Sequence, residues 1–162
     1  MVMKTTKTNA ARFLDDLGVA YALRAYSIDE DDLSAATVAA KVGLQPEQVY
    51  KTLCMSGDRT GPVFAIVSAL QQVDLKALAR ASGNRKVEPV PLKQLTMLTG
   101  YVRGGTTVFA AKKVLPVYID ELIELCDEIA VSAGQRGLQV VLSPSDYIKA
   151  TQGTLAPIGR FI

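Results

Sequence analysis

Apolar and polar positions alternate along this chain in two rhythms that trade places every ten to fifteen residues, and the exchange outlines its elements. From Thr8 to Leu17, apolar Ala10, Phe13, Leu14 and Leu17 recur at helical spacing, with Thr8 or Asn9 as cap and Gly18 as terminator. Val19 to Tyr26 alternates with the period of two that a strand requires. Ser34 caps a short helix over Ala35 to Val42 that Gly43 ends, and Pro46 stands where the first turn of another helix begins. Tyr50 to Met55 and Pro62 to Leu70 are strand-like, and Ser56 to Gly61 between them is short enough for an antiparallel hairpin.

Asp74 then caps a helix through Ser82, closed by Gly83. Val87 to Val90 reads as a strand and Leu92 to Leu98 as a short helix, followed by further strands over Val114 to Ile119 and Ile129 to Ser132. Ala133-Gly134-Gln135-Arg136-Gly137 makes a second hairpin turn into Leu138 to Leu142, and Ser143-Pro144 opens a terminal helix reaching about Thr151. Helices and strands mix without a βαβ beat, and no repeat, low-complexity tract or linker interrupts them. The expectation is one α+β domain over residues 1–162, built on a mixed, largely antiparallel sheet flanked by helices.

Composition narrows the chemistry. The 162 residues are 49% apolar, enough for one well-buried core. No apolar run has the length of a membrane span, and Met1 to Lys7 lacks the apolar stretch of a signal peptide, so a soluble, cytoplasmic protein is expected. Cys54 and Cys126 are then expected as free thiols. The chain has no histidine, which removes Ser-His-Asp and Cys-His catalysis, the zinc-binding His motifs and the commonest general base. Neither a metal nor a cofactor is expected. A net charge of +2, with small clusters at Arg80, Arg85 and Lys86 and at Arg103, Lys112 and Lys113, suits transient phosphate contact rather than tight nucleic-acid binding.

Two places can carry chemistry. In Gly100-Tyr101-Val102-Arg103-Gly104-Gly105, adjacent glycines let backbone N–H groups approach a carbonyl or an anion, although the spacing fits neither a Walker A loop nor a dinucleotide fingerprint. A tight turn between strands is the plainer reading. In the strand from Tyr50, the alternation sets Tyr50, Thr52 and Cys54 on one face and Lys51, Leu53 and Met55 on the other. A lysine among apolar neighbours either snorkels to solvent or stands at a pocket rim with its ammonium free. Tyr26 and Ser132 are open to a plain edge aromatic and a plain turn residue respectively.

Val49-Tyr50-Lys51-Thr52-Leu53, Gly100-Tyr101 with Gly104-Gly105, and Val131-Ser132-Ala133-Gly134 with Arg136-Gly137-Leu138 together resemble the YbaK family of aminoacyl-tRNA deacylases, relatives of the editing domain of bacterial prolyl-tRNA synthetase. The resemblance runs from Thr8 to about Tyr147 in unbroken order. It implies trans-editing: removal of a wrong amino acid, typically cysteine and sometimes alanine, from a tRNA such as that for proline, where a proline pocket rejects similarly sized amino acids poorly. By resemblance, Lys51 engages the aminoacyl end, Gly104 and Gly105 offer amides to the ester carbonyl, and Tyr26, Thr52, Gly100, Tyr101, Ser132 and Gln139 bound the substrate pocket. The implied partners are aminoacyl-tRNA, held transiently, and prolyl-tRNA synthetase.

The family's mechanism, in which the substrate thiol attacks its own ester, needs no histidine. Three positions depart from the pattern: Val108 and Ala110 replace proline and glycine after the double glycine, and Gln139 replaces an acidic residue. These departures bear on which amino acid is removed. Two alternatives stand beside the cysteinyl reading: a deacylase for Ala- or another aminoacyl-tRNA, and a non-catalytic module of the same fold that binds tRNA or a synthetase.

Overall fold

A computed structural model describes residues 7–162; the expectation that Met1 to Lys7 carries no signal peptide falls, but for Lys7, outside the described residues. Local capping explains the helices. Thr8, Ser34, Asp74 and Ser143 each accept a hydrogen bond from a first-turn amide, and so start α1 (Asn9–Asp16), α2 (Ala35–Val42), α3 (Leu75–Ser82) and α5 (Pro144–Thr151). The fourth helix, α4 (Leu92–Thr99), begins after Pro91 without a side-chain cap and ends on Gly100. Pro46 opens only a single 3₁₀ turn, Pro46–Gln48, before the chain is drawn into a strand.

The strands are β1 (Ala22–Ala25), β2 (Tyr50–Gly57), β3 (Gly61–Ser68), β4 (Gln71–Val73), β5 (Val87–Pro89), β6 (Val117–Asp120), β7 (Ile129–Ser132), β8 (Leu138–Leu142), β9 (Thr154–Ala156) and β10 (Gly159–Phe161). They form a five-stranded sheet ordered β5-β2-β3-β6-β9, a three-stranded sheet ordered β1-β8-β7 and a β4-β10 pair. The β3-β6 and β6-β9 pairings are parallel and the other ladders antiparallel, so the fold is α+β on a mixed, largely antiparallel sheet. A parallel bridge from Val49 to Ala130 joins the two larger sheets.

One face of this joined surface carries the main core: Tyr50, Cys54, Phe64, Ile66, Val131, Leu138 and Val140, closed over by Leu14 of α1 and Tyr147 of α5. The opposite face holds two smaller clusters. Ala39 of α2 packs on Val49, Ala130 and Val141, while Leu78 and Ala79 of α3 pack on Met55, Val63, Ala65 and Val67. Between the two clusters, Lys51 is the β2 residue on that face that neither helix covers.

Several elements differ from the sequence pattern. The strand read over Val19 to Tyr26 keeps only Ala22–Ala25, and the one read over Val114 to Ile119 becomes Val117–Asp120. A 3₁₀ segment, Glu121–Leu125, follows β6. The helix through Thr151 is not terminal, because β9 and β10 follow it, the latter pairing with the unanticipated β4.

Candidate functional site

The uncovered strip is the floor of a groove of about 1660 Å³. One wall is α2 with the acidic loop Glu30 to Asp32, and the other runs from Gln72 to Lys76 with Arg160. Lys51, Ser132, Gln139, Tyr26 and Gly104 all line it. Strand alternation explains most of this convergence. In β7 and β8, Val131, Leu138 and Val140 belong to the core face, so Ser132 and Gln139 stand on the same face as Lys51. Gln139 lies in register between Arg24 of β1 and Ser132 of β7, and Tyr26 continues the Arg24 side of β1.

Lys51 is half-buried and has no hydrogen bond or ion pair with any described residue. Burial lowers its pKa from the usual lysine value, because the charged ammonium loses water without gaining an anion. Ser132 Oγ accepts from the Gly134 amide at 3.1 Å, which fixes the hairpin turn and leaves the hydroxyl proton free to donate. Gln139 is 5% exposed, and its Oε1 is buried without a partner.

The glycine segment packs against the second glycine turn. Arg136 Nε donates to the Arg103 carbonyl at 2.8 Å. A Cβ on Gly105 would stand 3.1 Å from the backbone of Gln135 and Arg136, so only glycine lets the two loops approach this closely. Gly104 adopts φ +85°, is exposed on the groove, and its N–H has no partner among the described residues.

The remaining expected residues take other places. Gly105 is buried and its N–H donates to the Val102 carbonyl at 2.9 Å, so this amide closes the turn instead of facing the groove. Gly100 is the left-handed cap of α4. Tyr101 braces the loop: its hydroxyl donates to the Phe109 carbonyl at 2.6 Å, and its ring lies where a Gly134 side chain would be. The Thr52 hydroxyl is buried on the core side, so what Thr52 exposes to the groove is not its hydroxyl. Pattern reading did not single out the carboxylates of Glu30 and Asp31 at the groove wall; their only signal was an acidic run just ahead of a helix cap.

The chain has no metal-binding group of three or more His, Cys, Asp or Glu among the described residues, and none of those residues forms a helix long and apolar enough to cross a membrane. Cys54 and Cys126 are both free thiols, and burial pushes the former up to about 11.

Residues 29–150 match the model of the aminoacyl-tRNA editing domain, and the chain belongs to that family. It is 43% identical over 152 residues to EbsC of Enterococcus faecalis, covering 94% of this chain and 93% of that protein, whose name assigns it provisionally to deacylation of Cys-tRNA(Pro) and Cys-tRNA(Cys). It is also 34% identical over 99 residues to the multifunctional Ser/Thr-tRNA deacylase ProXp-y of Escherichia coli strain K12, covering 60% of this chain and 59% of that one. A solved structure described provisionally as a trans-editing enzyme for prolyl-tRNA synthetase superposes with a TM-score of 0.80 at 20% identity, covering 96% of this chain and 99% of that one, which shows a common fold.

Proposed function

We propose that this protein is a free-standing editing enzyme that clears cysteine from mischarged tRNA, Cys-tRNA(Pro) foremost. Membership of the editing-domain family makes the chain an aminoacyl-tRNA deacylase. The cysteinyl preference follows the relative that matches it nearly end to end. The observation that carries a chemical role for the groove is its charge pattern: an unpaired, partly desolvated lysine and an unpaired glycine amide lining one groove, with no histidine in the chain.

In this reading Lys51 holds the terminal ribose or phosphate oxygens of the tRNA, and the Gly104 N–H receives the oxygen of the developing tetrahedral intermediate. The substrate thiol attacks its own ester carbonyl. A C–S bond forms, the C–O bond to the tRNA ribose breaks, and the thiol proton leaves with the ribose oxygen. The amino acid departs as a cyclic thioester that water opens afterwards. The protein contributes position and electrostatic stabilisation, which together lower the barrier without a side-chain base.

The test is turnover of Cys-tRNA(Pro) beside S-methylcysteinyl-tRNA(Pro) and Ala-tRNA(Pro). Clearance of the cysteinyl ester well above the buffer rate, with the S-methylated ester left intact, is expected. Equal clearance of both cysteinyl esters would remove the thiol from the mechanism. Binding of charged tRNA without multiple turnover would favour the non-catalytic module.

A further inference from the structure

Of the basic residues that cluster in the sequence, Arg80, Arg85, Lys86, Lys112 and Lys113 do not line the groove, and Arg103 does. Folding adds two cations that no sequence cluster contains. Lys76, in the first turn of α3, and Arg160, on β10, share one wall of the groove, exposed and without an ion pair to any described residue. Arg160 is nonetheless held in place. Gln72 faces it across the β4-β10 ladder and, with its amide oxygen turned to the guanidinium, accepts from Nε and Nη2, each at 2.9 Å. That contact takes one edge of the guanidinium and leaves the outer edge, Nη1 with Nη2, open to the paired oxygens of a phosphate. Asp74, the carboxylate side chain of this wall, spends an oxygen on the Ala77 amide as the cap of α3.

Resting on the deacylase reading, we propose that Arg160 and Lys76 hold backbone phosphates of the single-stranded 3′ end of the tRNA, so that the nucleotide strand leaves Lys51 across the wall formed by α3 and β10. Charge sets this direction. The facing wall carries Glu30 and Asp31, whose carboxylates bond to no described residue and repel a phosphate. The remaining exposed cation of the groove, Arg103, directly precedes Gly104, at the end where the ester would react. From Gln72 to Lys76 and at Arg160 there is no aromatic side chain on which a base could stack, so the grip reads backbone charge and is indifferent to base sequence. Both cations bind the strand and touch no reacting atom, so they act on affinity and not on the chemical step.

The experiment measures Kd for uncharged tRNA(Pro) against salt concentration, and kcat and KM for Cys-tRNA(Pro) beside 3′-O-cysteinyladenosine, which carries no phosphate. Arg160→Gln and Lys76→Gln should each weaken Kd and raise KM for the tRNA about five- to tenfold at low salt, and lower the slope of log Kd on log salt by about 0.7, the share of one single-strand phosphate. Turnover of cysteinyladenosine should stay within about twofold of wild type, a split that a merely structural role would not give. Arg160→Lys keeps the charge and should keep most of the slope. Unchanged tRNA affinity in both glutamine variants overturns the inference. So does an equal loss on cysteinyladenosine, or the same loss in Lys112→Gln and Lys113→Gln instead. Where the variants do not fold, the wild type decides: a slope below about 0.7 in magnitude leaves no room for two phosphates. A wild type that clears neither ester sinks the deacylase reading, whereas tRNA affinity indifferent to both charges sinks this inference alone.

Discussion

Lys51 is a charge placed where the fold gives it no counterion, and its titration should report that. Its folded pKa lies below its unfolded value, so between those two values the unfolded chain binds more protons and stability rises with pH. Below the folded pKa the full desolvation cost is present. Lys51→Met should therefore raise Tm at pH 7 and flatten the pH dependence of stability toward pH 10, as differential scanning calorimetry across that range would show. A lower Tm in the variant would mean that the ammonium has a structural partner. The two glycines separate in a similar way. Gly104→Ala strains a φ of +85° at the proposed oxyanion donor, and a loss of about a hundredfold in kcat, about 3 kcal/mol, is expected. Gly105→Ala should act through Tm as well as rate, because its Cβ would press on the Gln135 and Arg136 backbone at 3.1 Å.

Among the elements, legibility in sequence tracked how local the cause was. The helices started by Ser34 and Asp74 and ended by Gly43 and Gly83 were readable to the residue, since each cap is decided within four positions. The β2-β3 and β7-β8 hairpins followed from alternation around short turns. The strands β4, β9 and β10 were not legible: unlike the equally short β5, which apolar Val87 and Val90 mark, they exist because of what they pair with. The same limit applied within the site. Alternation found the Lys51 face, but whether a glycine amide is free depends on a partner elsewhere, and Gly105 spends its own on Val102. Tyr101 is the element-scale test. Tyr101→Phe loses the bond to the Phe109 carbonyl, leaves that buried acceptor short, and should cost about 1–2 kcal/mol in urea unfolding, with the loop carrying Gly104 loosened.

Across the whole molecule, the groove depends on two helices staying apart on one sheet face, and a buried carboxylate helps fix one side. Asp120, 2% exposed at the end of β6, accepts from Gln71 Nε2 and the Leu122 amide, each at 3.1 Å, and from the Gly159 amide at 2.8 Å. It ties the β4-β10 pair, and with it the wall holding Lys76 and Arg160, to the five-stranded sheet. Asp120→Ala strands one buried and two part-buried donors, and a loss of about 2–3 kcal/mol is expected by chemical denaturation; a change below about 0.5 kcal/mol would show that the pair docks without it. The groove itself is the convergence of distant segments, from Tyr26 to Arg160, which no local pattern contains.

The most direct measurement is single-turnover deacylation of Cys-tRNA(Pro) by the wild type and by Lys51→Ala at equal, saturating enzyme. Clearance well above the buffer rate in the wild type, falling at least about a hundredfold in a Lys51→Ala protein that unfolds as cooperatively as its parent, is the expected result. Equal rates in the two proteins would contradict the assignment of this groove as the deacylation site.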